Sequence, residues 1–174
     1  PTAVPPGLCG GGLSQLYANA SGGSGIYTYI WTSNPPGFWS SLADPQVYPM
    51  TTTIYTVEVS DGYNVVMGSV TVTVFDLPTA HAGEDQSIPY GTYTTLNGAA
   101  TGGSGSYSFE WTPQNLLVNP FVNNPTTVNL TSTTMFQLTV TDNQTGCISA
   151  TDYVLVTITG GPLGVTVTAY PESI

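Results

Sequence analysis

The sequence contains an internal repeat, which constrains the fold more than any other feature. Residues 13–33 read LSQLYANASGGSGIYTYIWTS and residues 93–113 read YTTLNGAATGGSGSYSFEWTP, so a GGSG segment and a following tryptophan recur 80 positions apart. Further along, TTTIYTVEVSD (51–61) matches STTMFQLTVTD (132–142) at a spacing of 81. Self-similarity at a fixed period indicates repeated structural units. We therefore predict two homologous domains, residues 1–76 and 77–160, followed by a short third segment, 161–174.

Within each copy, apolar residues alternate with polar ones. Tyr55, Val57 and Val59 alternate with threonine, glutamate and serine, and an alternating Val/Thr run ends each copy. This period of two is typical of half-buried β-strands, and the glycine and proline clusters between the runs are typical of turns. The pattern predicts an all-β chain of two Ig-like antiparallel β-sandwiches in tandem. Trp31 and Trp111 are the expected centres of the two cores.

The second copy resembles a known family. Its segments PTAHAGEDQSI, TTLNGAATGGSGSYSFEWTP and TTVNLTSTTMFQLTVTDNQTGC look like a PKD-type Ig-like repeat. They are similar to the tandem repeats of large secreted surface proteins of Bacteroidetes-like bacteria. The resemblance covers most of Leu77–Ile158 and, more loosely, Leu13–Val74. It implies PKD-like domains, an extracellular location and a role in a stalk, an adhesin or a domain beside a secreted hydrolase. It brings no catalytic residues.

The charge of the chain excludes several functions. The sequence has no lysine or arginine and ten acidic residues, for a net charge of −10. A chain without cations cannot replace the counterions around phosphates, which excludes nucleic acids and anionic membrane surfaces as partners. No apolar run approaches the roughly eighteen residues of a membrane span. The single histidine, His81, lacks the partners of a zinc site or a catalytic triad, and we predict that the chain is not an enzyme.

Acidic residues near the predicted domain junction form a candidate metal site. Asp76, Glu84 and Asp85 lie close to the junction, and Asp142 ends a strand expected to reach the same end of the second sandwich. Carboxylate oxygens without competing cationic side chains suit Ca²⁺, the one cofactor we expect. The alternative is that these carboxylates are solvated and cap turns.

The two cysteines have a separate interpretation. Members of the resembled family often carry both positions in one domain, whereas here Cys9 lies in the first copy and Cys147 in the second. A bond inside one copy is therefore excluded. Two possibilities stay open, namely two buried thiols or a disulfide across units or chains, as leftover cysteines of secreted proteins suggest.

Surface positions supply two further candidates. Three asparagines fit the N-glycosylation pattern: Asn19, Asn129 and Asn143. Several aromatic residues do not all fit alternating core positions: Phe38, Trp39, Tyr48, Tyr63 and Tyr93. Exposed aromatic rings either stack on sugar rings or form contacts between subunits, where tyrosine and tryptophan are enriched.

The C-terminal segment starts another alternating run. TAYP of residues 168–171 aligns with TAVP of residues 2–5, which favours the opening strand of a further copy. An unpaired apolar strand invites pairing. We therefore expect an extra C-terminal strand in which Val165, Val167 and Tyr170 join copies, either through a covalent third domain or by addition to a neighbouring sheet.

Two functions are compatible with these features. The first is a structural repeat module of an extracellular filament, stalk or adhesin, which assembles head to tail with copies of itself. The alternative is a carbohydrate-binding accessory module of a secreted hydrolase, whose partners are glycans.

Overall fold

A computed structural model describes residues 1–162 and 164–167. In this part of the chain, fourteen β-strands are joined by turns and one short 3₁₀ turn. The strands of the first sandwich are β1 (Thr2–Val4), β2 (Gly7–Cys9), β3 (Ser14–Tyr17), β4 (Thr28–Asn34), β5 (Trp39–Ser40), β6 (Gln46–Val47), β7 (Thr53–Ser60) and β8 (Val65–Phe75). Those of the second are β9 (Pro78–His81), β10 (Gln86–Pro89), β11 (Ala99–Gly102), β12 (Tyr107–Thr112), β13 (Thr134–Asp142) and β14 (Asp152–Thr159).

The first sandwich has a three-stranded and a five-stranded sheet. The strand orders are β1-β3-β6 and β2-β8-β7-β4-β5, in which β2 runs parallel to β8 and the other pairs are antiparallel. The alternation in β7 places Tyr55, Val57 and Val59 in the core. Trp31 is fully buried there, and its indole N–H donates to the carbonyl of Leu42 at 3.1 Å.

The second sandwich repeats this plan. Its main sheet has the order β10-β14-β13-β12, with β10 parallel to β14, and a smaller sheet pairs β11 with β9. Trp111 is fully buried, and its indole N–H donates to the carbonyl of Val122 at 3.1 Å. The hydrogen bond from each tryptophan thus reaches a carbonyl eleven residues ahead. The prediction of two Ig-like β-sandwiches in tandem is confirmed.

The compact units do not coincide with the sequence repeats. Unit 1 consists of Pro1–Pro78 together with Gly102–Ser106 and Asp142–Ile148, and unit 2 contains the other described residues. The main division therefore falls two residues after the expected one, and two loops of the second repeat group with the first unit. Sequence similarity could not show this, because it reports common ancestry rather than spatial proximity.

The predicted C-terminal strand is not formed in the described residues 164–167, which have no regular secondary structure. Val165 and Val167 are 88% and 86% exposed, and Tyr170 lies outside the described residues. Separately, the described part of the chain contains no helix with the length and hydropathy needed to cross a membrane.

Candidate functional site

A disulfide bond joins the two cysteines within one chain. Cys9 ends β2 at an exposed position, and Cys147 is completely buried after β13. Their sulfur atoms are 2.03 Å apart and their Cα atoms 5.5 Å apart, across 138 positions of sequence. Both residues belong to unit 1, although they come from different sequence repeats. The bond therefore ties the first strands of the chain to a loop of the second repeat.

An aspartate holds the glycine-rich turn of the first repeat. The Asp61 carboxylate accepts the backbone N–H groups of Tyr63 at 2.9 Å, Asn64 at 2.7 Å and Ser24 at 3.2 Å. Ser24 is the serine of the GGSG segment, and its hydroxyl donates to the Asp61 carbonyl at 3.0 Å. These donors, that of Asn64 first, lower the pKa of Asp61.

The second repeat contains the same arrangement in a buried form. The Asp142 side chain is completely buried and accepts the backbone N–H and, at 2.8 Å, the hydroxyl of Ser104. It also accepts the backbone N–H groups of Gln144 at 2.9 Å and Thr145 at 3.1 Å. The backbone donor of Ser104 contributes most to lowering the pKa of Asp142, and burial opposes it. The carboxylate stays ionised because four donors replace its water.

The glycine before Ser104 is required by this contact. Gly103 has a φ of +54°, which L side chains rarely adopt, and a Cβ there would collide with the Asp142 carboxylate. The equivalent Gly23 has a φ of +59° and the same relation to Asp61. The repeated GGSG segment is thus explained by two turns that close over an aspartate.

The residues of the predicted calcium site have protein partners at two positions. Among residues 1–162 and 164–167, no group of three histidine, cysteine or acidic side chains able to hold a metal ion is found. Calcium binding by Asp76, Glu84, Asp85 and Asp142 stays a prediction, and two of these carboxylates already accept hydrogen bonds. Asp142 is saturated, and Asp85 accepts the backbone N–H of Leu155 at 2.8 Å. The alternative interpretation, turn-capping carboxylates, describes Asp142.

The three glycosylation candidates lie at exposed positions. The side-chain amide of Asn19 donates to the Thr2 hydroxyl at 3.1 Å, and that of Asn143 donates to the Ser106 hydroxyl at 3.2 Å. Asn129 is also exposed. Their accessibility permits modification, which stays a prediction.

Most of the candidate aromatic residues are exposed. The exposed fraction is 66% for Trp39, 67% for Tyr48, 90% for Tyr63 and 65% for Tyr93. Phe38 is half-buried instead and packs edge-on against Tyr55, with the ring centroids 5.5 Å apart. Phe38 therefore belongs to the packing of the first sandwich, and the other four are available at the surface.

Unit 1 also carries an open cavity that the sequence did not indicate. Its volume is about 400 Å³, and its lining includes Ala18, Tyr27, Val57, Val59 and Val66. It adjoins β8, whose eleven residues are accompanied on one side by only three residues of β2. The sequence predicted a strand at the end of the first copy, but it predicted neither the full length of β8 nor the extent of its pairing with β2.

Comparison with known proteins gives structural likeness only. No known protein family matches the sequence, and neither does any curated protein. Drosophila OTK extracellular domains 3–5 have 12% identity and a TM-score of 0.49, covering 88% of this chain and 59% of theirs. Sidekick-1 immunoglobulin domains 1–4 have 11% identity and a TM-score of 0.40, covering 90% of this chain and 45% of theirs.

A titin I-band fragment has 13% identity and a TM-score of 0.47, covering 88% of this chain and 62% of its own. The chain thus spans about half to two thirds of the length of these structures. The Ig-like assignment rests on the strand order and core described above.

Proposed function

We propose that this chain is a non-enzymatic structural repeat module of an extracellular filament, stalk or adhesin, of PKD-like type and assembling with copies of itself. The observation that best supports this proposal is that several potentially reactive side chains take part in holding the fold. Both cysteines are consumed in one bond, and the carboxylates of Asp61 and Asp142 accept several hydrogen bonds that hold turns. Every buried side-chain N or O atom of the described residues has a hydrogen-bond partner. These four side chains are therefore engaged in holding the fold.

The disulfide and the composition support an extracellular setting. Disulfides persist in oxidising compartments and are rare in the cytosol. A chain without lysine or arginine also presents no cleavage site to trypsin-like proteases. Both properties suit a protein that must last outside a cell.

Electron microscopy of the native material tests this role. We expect regular fibres or stalks labelled along their length by an antibody against this chain. Native material that is monomeric and remains bound to insoluble glycans after washing would overturn the structural role and favour the second candidate.

That second candidate, carbohydrate binding, is supported by one exposed ring. Trp39 lies in β5, the outermost strand of the five-stranded sheet, and pairs with Thr32 of β4. A tryptophan face beside a hydroxyl side chain is a suitable platform for a sugar ring. In a glycan pull-down, Trp39→Ala should abolish retention while Tyr63→Ala, a change at another exposed aromatic residue, should not. Equal retention of both variants would exclude this platform.

A further inference from the structure

We propose that the C-terminal segment starting at Gly164 of one copy adds as a β-strand to the open edge of β8 in a second copy, with Val165 and Val167 entering the cavity of unit 1. The proposal rests on the proposed structural role and identifies the joint through which copies assemble. Three features of the described residues support it independently: an unpaired strand edge, an open cavity beside that edge whose lining includes valine side chains, and an exposed alternating segment.

The edge of β8 is open over most of its length. On one side, β8 pairs with β7 from Val65 to Val72. On the other side, β2 is paired only with Thr73–Phe75, and no described strand accompanies the preceding residues. The backbone N–H of Thr73 donates to the carbonyl of Pro6 at 2.9 Å, so it points to the β2 side.

The direction of the free groups follows from the strand period. Backbone groups of alternate residues point to the same side of a strand. Val65, Met67, Ser69 and Thr71 therefore present their N–H and C=O groups to the side that β2 leaves uncovered. An edge of this kind is a ready template for an added strand.

The second sandwich protects its equivalent edge. There β10 pairs with four residues of β14, Gln86–Pro89 against Val156–Thr159, and the Asp85 carboxylate accepts the next free N–H, that of Leu155. The stretch without a neighbouring strand is therefore longer in β8 than in β14.

The cavity beside the edge has apolar side chains on part of its lining and polar ones, Asn19, Asp61 and Asn64, on the rest. Its floor contains Val57 and Val59, which are 2% and 8% exposed, and Val66 of β8 stands at its rim with 63% exposed. Its volume is about 400 Å³, and Val66 is the uncovered valine among these three. A strand paired with the β8 edge points every second side chain towards one face. Such a strand would cover this floor with its apolar residues.

The C-terminal segment has the required pattern. It reads GVTVTAY from residue 164 to 170, without a charge, and alternates valine with threonine. Val165 and Val167 are 88% and 86% exposed in a single copy. When TAYP of 168–171 is aligned with TAVP of 2–5, Val167 falls on Pro1, which lines the cavity and lies against Gly68 of β8.

The C-terminal segment and the edge of β8 are two different surfaces, so the contact between two copies is heterologous. A heterologous contact that does not close a ring produces an open filament. Residues 164–170 and β8 contain no charged side chain, whereas each copy carries −10. The copies therefore repel one another at long range, and salt should strengthen their association by screening that repulsion.

Sedimentation velocity on the full chain, over a range of concentrations at low and high salt, tests the joint. We expect oligomers that grow with concentration and with salt. Val167→Glu in the tail and Val66→Glu at the cavity rim should each weaken association at least about tenfold, equivalent to roughly 1.4 kcal/mol. Val66 and Val167 are both exposed in the single copy, so the monomer should keep its circular dichroism spectrum and melting temperature.

Two matched control variants distinguish the effect of the substituted position from the effect of added charge. Thr166→Glu and Val65→Glu add the same charge on the opposite faces of the two strands and should leave association within a few-fold of the original chain. A mixture of the Val66→Glu and Val167→Glu variants should form one-to-one dimers and nothing larger, because only one intact edge and one intact tail then meet.

Three results would overturn the joint: a chain monomeric at every concentration and salt, association that both variants retain, or a mixture that stays monomeric. A tail folded back on its own edge, or a small ligand in the cavity, gives the first result. Each of these outcomes leaves the structural role standing if native fibres are seen. Conversely, the expected dimers without native fibres would remove the structural role alone.

Discussion

Breaking the Cys9–Cys147 bond should change how the chain responds to pulling. With the bond intact, a force applied at the two ends passes from Cys9 directly to Cys147. The strands from β3 to β13 lie between the cysteines and are bypassed. Only the residues before Cys9 and after Cys147, about a fifth of the chain, can be extended.

The expected change in extension follows from the length that one stretched residue spans. A stretched residue spans about 3.6 Å. The separation of 138 positions therefore corresponds to about 500 Å of hidden contour length. The oxidised chain should release no more than about 130 Å, and it should do so without unfolding the core around Trp31.

Single-molecule force spectroscopy measures this directly. The chain is pulled with and without a thiol reductant, and the double variant Cys9→Ser/Cys147→Ser serves as a control that needs no reductant. We expect the reductant to add about 500 Å to the total extension of the natural chain and nothing to that of the variant. Equal extensions of the natural chain in both conditions would refute the idea that this bond carries the load.

Three further predictions concern the cores and turns. Trp111→Ala should lower the free energy of unfolding by about 3–5 kcal/mol, measured in urea, because the indole is fully buried. Asp142→Asn should lower the melting temperature at neutral pH. Because the pKa of Asp142 is lowered in the folded state, the difference in melting temperature between the variant and the natural chain should become smaller as the pH falls below the pKa of the unfolded state, near 3.9. The same difference in melting temperature at acid pH would show that the negative charge of Asp142 does not stabilise the fold. Gly103→Ala should lower the melting temperature more than Gly105→Ala, because both have positive φ but only at Gly103 does a Cβ meet the carboxylate.

The sequence predicted the sandwiches because their cause is local and periodic. Alternation in β7 reflects which side chains face the core, and that relation holds whatever the strand pairs with. Because the sequence repeats, the same pattern occurs twice, including the two tryptophans 80 positions apart. Features that depend only on the strand period could therefore be predicted from the sequence.

Features that depend on distant partners were not. The calcium hypothesis treated Asp142 as an available ligand, whereas three of its four donors are backbone N–H groups, which look alike at every position of a sequence. One signal did exist: the GGSG serine and the aspartate recur together in both copies, as Ser24 with Asp61 and Ser104 with Asp142. The cysteine pairing was left open because proximity across 138 positions is a tertiary property.

The position of the disulfide also sets the order of events during synthesis. Cys9 is made before its partner, which follows 138 positions later. At about 5–20 residues per second, the first thiol waits roughly 7–30 s for the second. During that interval the bond cannot form within the chain, so its formation reports that almost all of the second repeat has been made. A chain truncated before Cys147 therefore keeps the Cys9 thiol free of this bond.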